Sequence, residues 1–188
     1  GKGLQALKAR FPQTKFYKTL SLYWLTLVVR ILDSTGWFLG ATKKSGELRR
    51  KLISQMHNAS RILLYFLGDK LGNKLLATRE LINAHFLGVS VEYAKANASY
   101  AWIQGVEGDK RPVIKYGDKS VAIAEKLGNQ QALTACKLDY VYGLEFAGEN
   151  LLSQKKYHEV FPDLMQYGAA SEMNPALLHM GHSLLYQG

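Results

Sequence analysis

ELRRKLISQMHNASRILLYFLG, residues 47–68, decides the fold. Leu48, Leu52, Ile53, Met56, Ile62, Leu63, Tyr65 and Phe66 approximate the spacing of one helix face, and Gly68 closes the segment. Glycine suits the position just past a helix because it enters the left-handed region without a Cβ clash. The same residue returns every 20 positions, at Gly88, Gly108, Gly128, Gly148, Gly168 and Gly188. Helix ends at that interval imply helices of roughly 15–17 residues joined by short turns, paired into hairpins. The expected fold is therefore all-α: a right-handed solenoid of antiparallel hairpins over 46–88, 89–128, 129–168 and an incomplete 169–188.

Working outward, 73–87 is the partner of the first helix, with Asn73 as its expected cap. The second hairpin comprises 90–107 and 111–127, where Pro112 fits a first helical turn. The third comprises 130–147 and 154–167, and Asn174-Pro175 opens a further helix. Superposition at 40 residues aligns Ile53, Tyr93, Leu133 and Met173, all large and apolar. Met56, Ala96, Cys136 and Ala176 form a second column, which explains Cys136 as a packing residue. Ser60, Tyr100, Tyr140 and Met180 form a third, and Ile62, Trp102, Tyr142 and His182 a fourth. The ladder ends on a first-type helix without its partner, so the chain is expected to be a piece of a longer array, or to dock there.

Residues 1–45 differ from this body. The first 51 residues carry eleven Lys and Arg against Asp33 and Glu47, and the remaining 137 balance at zero, so the whole excess of +9 sits in the leader region. A short helix over 2–10, broken at Pro12, precedes an apolar segment over 14–39. Its longest uncharged run, Thr19 to Val29, is eleven residues, well short of the ~20 needed to cross a bilayer. Two readings stand. The segment is a helix buried on most sides against the first hairpin, or an amphipathic surface helix that meets acidic lipid or an acidic partner. In the second, Lys8, Arg10, Lys15, Lys18, Lys43, Lys44, Arg49, Arg50 and Lys51 supply the attraction. No base-stacking or groove-reading motif accompanies them, so nucleic acid is not the expected partner.

AIAEKLGN (122–129) resembles the second-helix ending of tetratricopeptide-like arrays, and QKKYHEVFPDLMQYG (154–168) the opening of such a helix, with Lys156-Tyr157-His158-Glu159 at its motif. Ala101, Val141 and Gly181 recur where those repeats pack helices closely. The longer period is similar to the arrays of large ATPase–cyclase and ATPase–transcription-regulator signalling proteins. GLQALKARFPQTK (3–15), followed by the apolar segment, resembles the entry to such an array. The resemblance implies an interaction scaffold or regulatory module within a larger protein, and no cofactor.

The same residues form no catalytic or metal-binding motif of recognisable spacing. His179 and His182 share a helix face but lack further donors, and His57, His85 and His158 are isolated. Gly36, Gly40 and Gly46 around Lys43 and Lys44 do not follow the order of a phosphate loop. Glu107, Asp109, Glu145 and Glu149 fall at turns, where solvated charge is ordinary. One cysteine excludes an internal disulfide, so a reducing, cytoplasmic setting is expected. No enzyme activity is expected, with an all-α enzyme as the third hypothesis after scaffold and surface-docking subunit. The inner faces of 90–107 and 130–147 offer a groove for a peptide, with Lys95, Ala98, Trp102, Ala135, Leu138, Tyr142 and Glu145 along it. Alternatively, Trp102 and Tyr142 fill the space between hairpins.

Overall fold

The computed structural model describes residues 12, 14–168, 176, 177 and 181. Among them the fold is all-α, with helices α1 (Lys15–Thr35), α2 (Lys44–Phe66), α3 (Lys70–His85), α4 (Val91–Val106), α5 (Lys110–Leu127), α6 (Gln130–Phe146) and α7 (Asn150–Tyr167). The expected helix over 2–10, Met173, Met180 and Gly188 lie outside the described residues; of the helix opened by Pro175, residues 176, 177 and 181 are described, and they are helical. The chain divides into two compact units, Gly1–Ala96 and Asn97–Gly188, with the boundary within α4.

Local chemistry explains the helix ends. Gly68, Gly88, Gly108, Gly128 and Gly148 all take positive φ, between 64° and 81°. After α2, α4 and α6 the closing turn has one form. The Asp69 amide donates to the Leu64 carbonyl at 3.0 Å, Asp109 to Gln104 at 3.0 Å and Glu149 to Leu144 at 2.9 Å. In each case the glycine amide bonds three residues back, to Tyr65, Gly105 and Glu145. Donors and acceptors recur at 40-residue spacing, as the sequence period requires.

Three details differ from the sequence expectation. Gly168 ends α7 with φ −69° and ψ 147°, an extended conformation open to any residue. A Cβ there would lie 2.5 Å from the Leu164 carbonyl oxygen, so lack of a side chain, not left-handed freedom, is what the position uses. Asp69, not Asn73, caps α3: its Oδ1 accepts the Gly72 amide at 2.8 Å, while Asn73 is buried in the first turn. Helix α7 begins at Asn150 and not at 154, one turn earlier than expected.

In the first unit, α2 and α1 both pack on α3. The segment between α1 and α2 is strapped across the end of α3: Gly40 donates to the His85 carbonyl at 3.1 Å and Thr42 to that of Phe86 at 3.0 Å. A Cβ on Gly88 would come within 2.9 Å of Gly40 Cα, so this rung needs glycine for clearance as well as for φ.

In the second unit α6 is central, packed by α5 and α7. Gly105 of α4 approaches it so closely that a Cβ would sit 2.2 Å from the Gly143 oxygen. Gly117 of α5 faces the Tyr140 ring in the same way, at 2.3 Å. Val113, Tyr140 and Leu144 form one core cluster. Leu138, Val141, Tyr142, Tyr157, Val160, Leu164 and Ala176 form another. Cys136 is fully buried, as its packing column implied.

Candidate functional site

Helix α1 is where chemistry and fold part company. Thr14 caps its start by accepting the Tyr17 amide at 3.4 Å, and Gly36 (φ 65°) closes it onto the Leu32 carbonyl. Only Val29 and Leu32 of this helix are buried. Phe16, Leu20, Tyr23, Trp24, Leu27 and Ile31 are exposed, with Tyr23 at 75% and Trp24 at 65%. These positions recur at three- and four-residue intervals, so they form one stripe along the helix. Burial on most sides, one of the two expectations for this segment, does not occur. A single helix packed against α3 can cover only one flank, and this sequence is apolar on more than one. Trp37, Phe38 and Leu39, in the segment after α1, add to the exposed apolar surface of the unit.

The basic residues expected to form one attractive surface are divided by the fold. Lys8 and Arg10 lie outside the described residues. Lys15, Lys43, Lys44 and Arg49 are exposed, as is Arg30 within α1. Lys18 instead pairs with Asp69, Nζ to Oδ2 2.5 Å, and that ammonium holds the Asp69 carboxyl below its usual range. Lys51 pairs with Glu47 one helical turn back at 2.7 Å. Arg50 turns inward: its Nη1 donates to Asn83 Oδ1 at 3.2 Å and its guanidinium lies 4.6 Å from the Phe86 ring centre. Three of the nine cations are thereby committed to the unit's own structure.

The expected groove residues occupy different environments. Lys95, in the first unit, is half-buried. In the second unit Ala98, Leu138 and Tyr142 are buried, Leu138 at 3% and Tyr142 at 7% exposure, while Trp102, Ala135 and Glu145 are half-buried. Trp102 packs against the core cluster, its ring 6.4 Å from that of Tyr142. Leu138 and Tyr142 thus belong to the core between α6 and α7, not to an open binding face. The column that aligned Trp102 with Tyr142 records packing. Glu145 acts locally, its charge adding to burial in raising the Tyr157 pKa. The Tyr157 hydroxyl donates to the Ala176 carbonyl.

The described histidines have structural settings. His85 Nε2 lies 2.8 Å from the Trp37 carbonyl and Nδ1 3.3 Å from the Tyr93 hydroxyl. A carbonyl can only accept, so Nε2 carries the proton and Nδ1 accepts from Tyr93. His158 is exposed on α7. His57 is buried at 4% exposure, and burial together with the positive charge of Arg79 pushes its pKa down to about 4. It is neutral at neutral pH. His179 and His182 lie outside the described residues.

Among the described residues no group of three or more His, Cys, Asp or Glu is placed to hold a metal ion, and no helix is long and apolar enough to cross a membrane. Two of the carboxyl residues at the repeated turns have structural employment: Asp69 with Lys18, and Glu149 with Lys110 at 2.6 Å. Comparison with protein-family models, with curated proteins and with solved structures finds no match for this chain.

Proposed function

We propose that this chain is a protein-interaction module: a right-handed stack of antiparallel helix hairpins of the tetratricopeptide kind, acting as a scaffold or regulatory segment of a larger signalling protein. The recurrence of one closing turn at 40-residue intervals supports the hairpin period. Within the second unit α6 meets α5 and α7, with Gly105 of α4 against it, the neighbour pattern of stacked hairpins.

The observation that carries the functional reading is the exposed stripe Phe16, Leu20, Tyr23, Trp24, Leu27 and Ile31. An aromatic-rich apolar face of this kind marks a docking surface, and aromatic anchors dominate interface energetics. Lys15, Arg30, Lys43 and Lys44 in the same unit favour a partner that presents acidic groups around its own apolar contact.

A photo-crosslinking residue introduced at Trp24 or Leu27 tests the docking reading, with exposed Lys155 on α7 as control. Discrete protein adducts from the two α1 positions and not from Lys155 are expected. No adduct above the control would refute it. A second reading, docking to an acidic membrane surface, is favoured by Trp24, Trp37, Tyr17 and Tyr23, whose part-apolar, part-polar rings suit a bilayer interface. It requires flotation with acidic vesicles that is lost at high salt, and absence of salt-sensitive flotation removes it.

A further inference from the structure

The open stripe of α1 has a definite period. Phe16, Leu20, Tyr23 and Leu27 follow one another at intervals of four, three and four residues, the a and d positions of two heptads. Tyr17, Trp24 and Ile31, seven residues apart, widen the same face at the e position. All seven are exposed, and no exposed charged residue interrupts them between Lys15 and Arg30. From Phe16 to Ile31 this seam runs about 22 Å along the helix, enough for about four turns of a neighbour.

Helix α1 carries a second seam of the same spacing. Lys18, Leu22, Leu25, Val29 and Leu32 also alternate at four and three residues. An offset of two residues is about 200° around a helix, so they occupy the opposite side. This is the side packed on α3: Val29 and Leu32 are buried, Lys18, Leu22 and Leu25 are half-buried, and the Lys18 ammonium is tied to Asp69, the cap of α3. One seam of α1 therefore already holds a helix. The open seam has the same period and a similar length, which suits a second helix and not a strand, whose side chains repeat every two residues.

We propose, resting on the docking reading of α1, that the occupant of the open seam is an amphipathic helix with acidic flanks, packed alongside α1. Arg30 takes the d position that follows Tyr23, and Lys15 precedes Phe16, so an exposed cation stands at each end of the apolar run. Neither makes an ion pair among the described residues. A second copy of this chain is disfavoured by the same charges. Parallel pairing sets the Arg30 side chains of the two copies against each other, and antiparallel pairing sets Arg30 of each copy near Lys15 of the other. A bilayer surface draws Arg30 towards its apolar boundary along with Leu27 and Ile31, and offers anionic groups only at headgroup depth. A helix that presents Asp or Glu opposite both ends, with Leu or aromatic anchors between them, satisfies the seam and the charges together.

The probe is a synthetic peptide of the length of α1, with leucine at its a and d positions and glutamate at e and g, labelled for fluorescence anisotropy and titrated with the full chain. Saturable binding with a gain of helicity is expected, weakened at least about tenfold at high salt. A lysine-flanked version, and one broken by a central proline, should not bind. Leu27→Glu should weaken binding at least about tenfold. Arg30→Glu should lose the glutamate-flanked peptide and gain the lysine-flanked one, a reversal that misfolding cannot produce. Leu151→Glu, at an exposed position on α7, should change nothing. No binding of the glutamate-flanked peptide, or equal binding of the lysine-flanked or proline-broken one, overturns the proposal. Dimerisation in sedimentation that Leu27→Glu abolishes assigns the seam to a second copy and overturns it too, as does salt-sensitive flotation with acidic vesicles in place of peptide binding. Crosslinked protein adducts at Trp24 with no peptide binding remove this partner alone and leave the docking reading standing.

Discussion

Replacing Gly105 with alanine sets two rules of helix chemistry against each other. Taken alone, α4 should gain: glycine inside a helix costs up to about 1 kcal/mol relative to alanine. The tertiary structure demands the opposite sign. The added Cβ would stand 2.2 Å from the Gly143 oxygen and 2.8 Å from its Cα and carbonyl carbon. Carbon atoms in good contact lie about 3.5–4.0 Å apart, so α4 and α6 must separate by roughly 1 Å or more. The obstructing atoms are backbone, and no rotamer change can relieve them. Overpacking costs about 1–3 kcal/mol, and a backbone clash belongs at the upper end. Subtracting the helix gain leaves a net loss of about 2 kcal/mol, or roughly 4–8 °C in melting temperature for a chain of this length. Thermal unfolding followed by far-ultraviolet circular dichroism measures it. Gly46→Ala in the first turn of α2 is the control, because its Cβ meets only Thr42 Cγ2 at an ordinary 3.6 Å and should stabilise slightly. A Gly105→Ala protein as stable as the wild type, or more so, would refute the close approach of α4 to α6.

Three further outcomes are expected. Gly117→Ala should destabilise for the same reason, its Cβ lying 2.3 Å from the Tyr140 ring, and Tyr140→Leu in the same chain should recover part of the loss, which a double-mutant cycle reads. His57 imposes a pH dependence. Its folded pKa of about 4 lies below the ordinary histidine value of 6.5, so the unfolded chain binds the extra proton between those values. Stability therefore falls as pH drops from about 6.5 to about 4, by up to about 3 kcal/mol, and loses nothing more to this group below that. Denaturation curves of wild type minus His57→Gln isolate the effect, and a flat difference contradicts it. Cys136 should react with a thiol reagent only as fast as the second unit opens, with full labelling in denaturant; fast labelling of the native chain contradicts its burial.

The glycine ladder was legible because the demand it answers is local. A left-handed residue past a helix needs no information from elsewhere in the chain, and five of the rungs take that conformation. Gly168 shows the limit, since the same residue type at the same interval answers a steric demand there. Asp69 and Asn73 are both capping residues by type. The turn at Gly68 places Asp69 at the start of α3, and that placement decides between them.

The candidate site was less legible. Lys18 and Asp69 lie 51 positions apart, so no local pattern announces that this cation is neutralised. Trp102 and Tyr142 were visible as a column, but a column is the same whether it faces solvent or core.

The amino-acid sequence by itself determined the helical class, the places where helices stop and the packing role of Cys136, because helix termination and apolar periodicity are short-range properties of the chain. Tertiary structure decided which side of α1 is covered and which cations remain at the surface. The reason is geometric: α1 is apolar on more than one side, and only the placement of α3 against Val29 and Leu32 selects the side that leaves water.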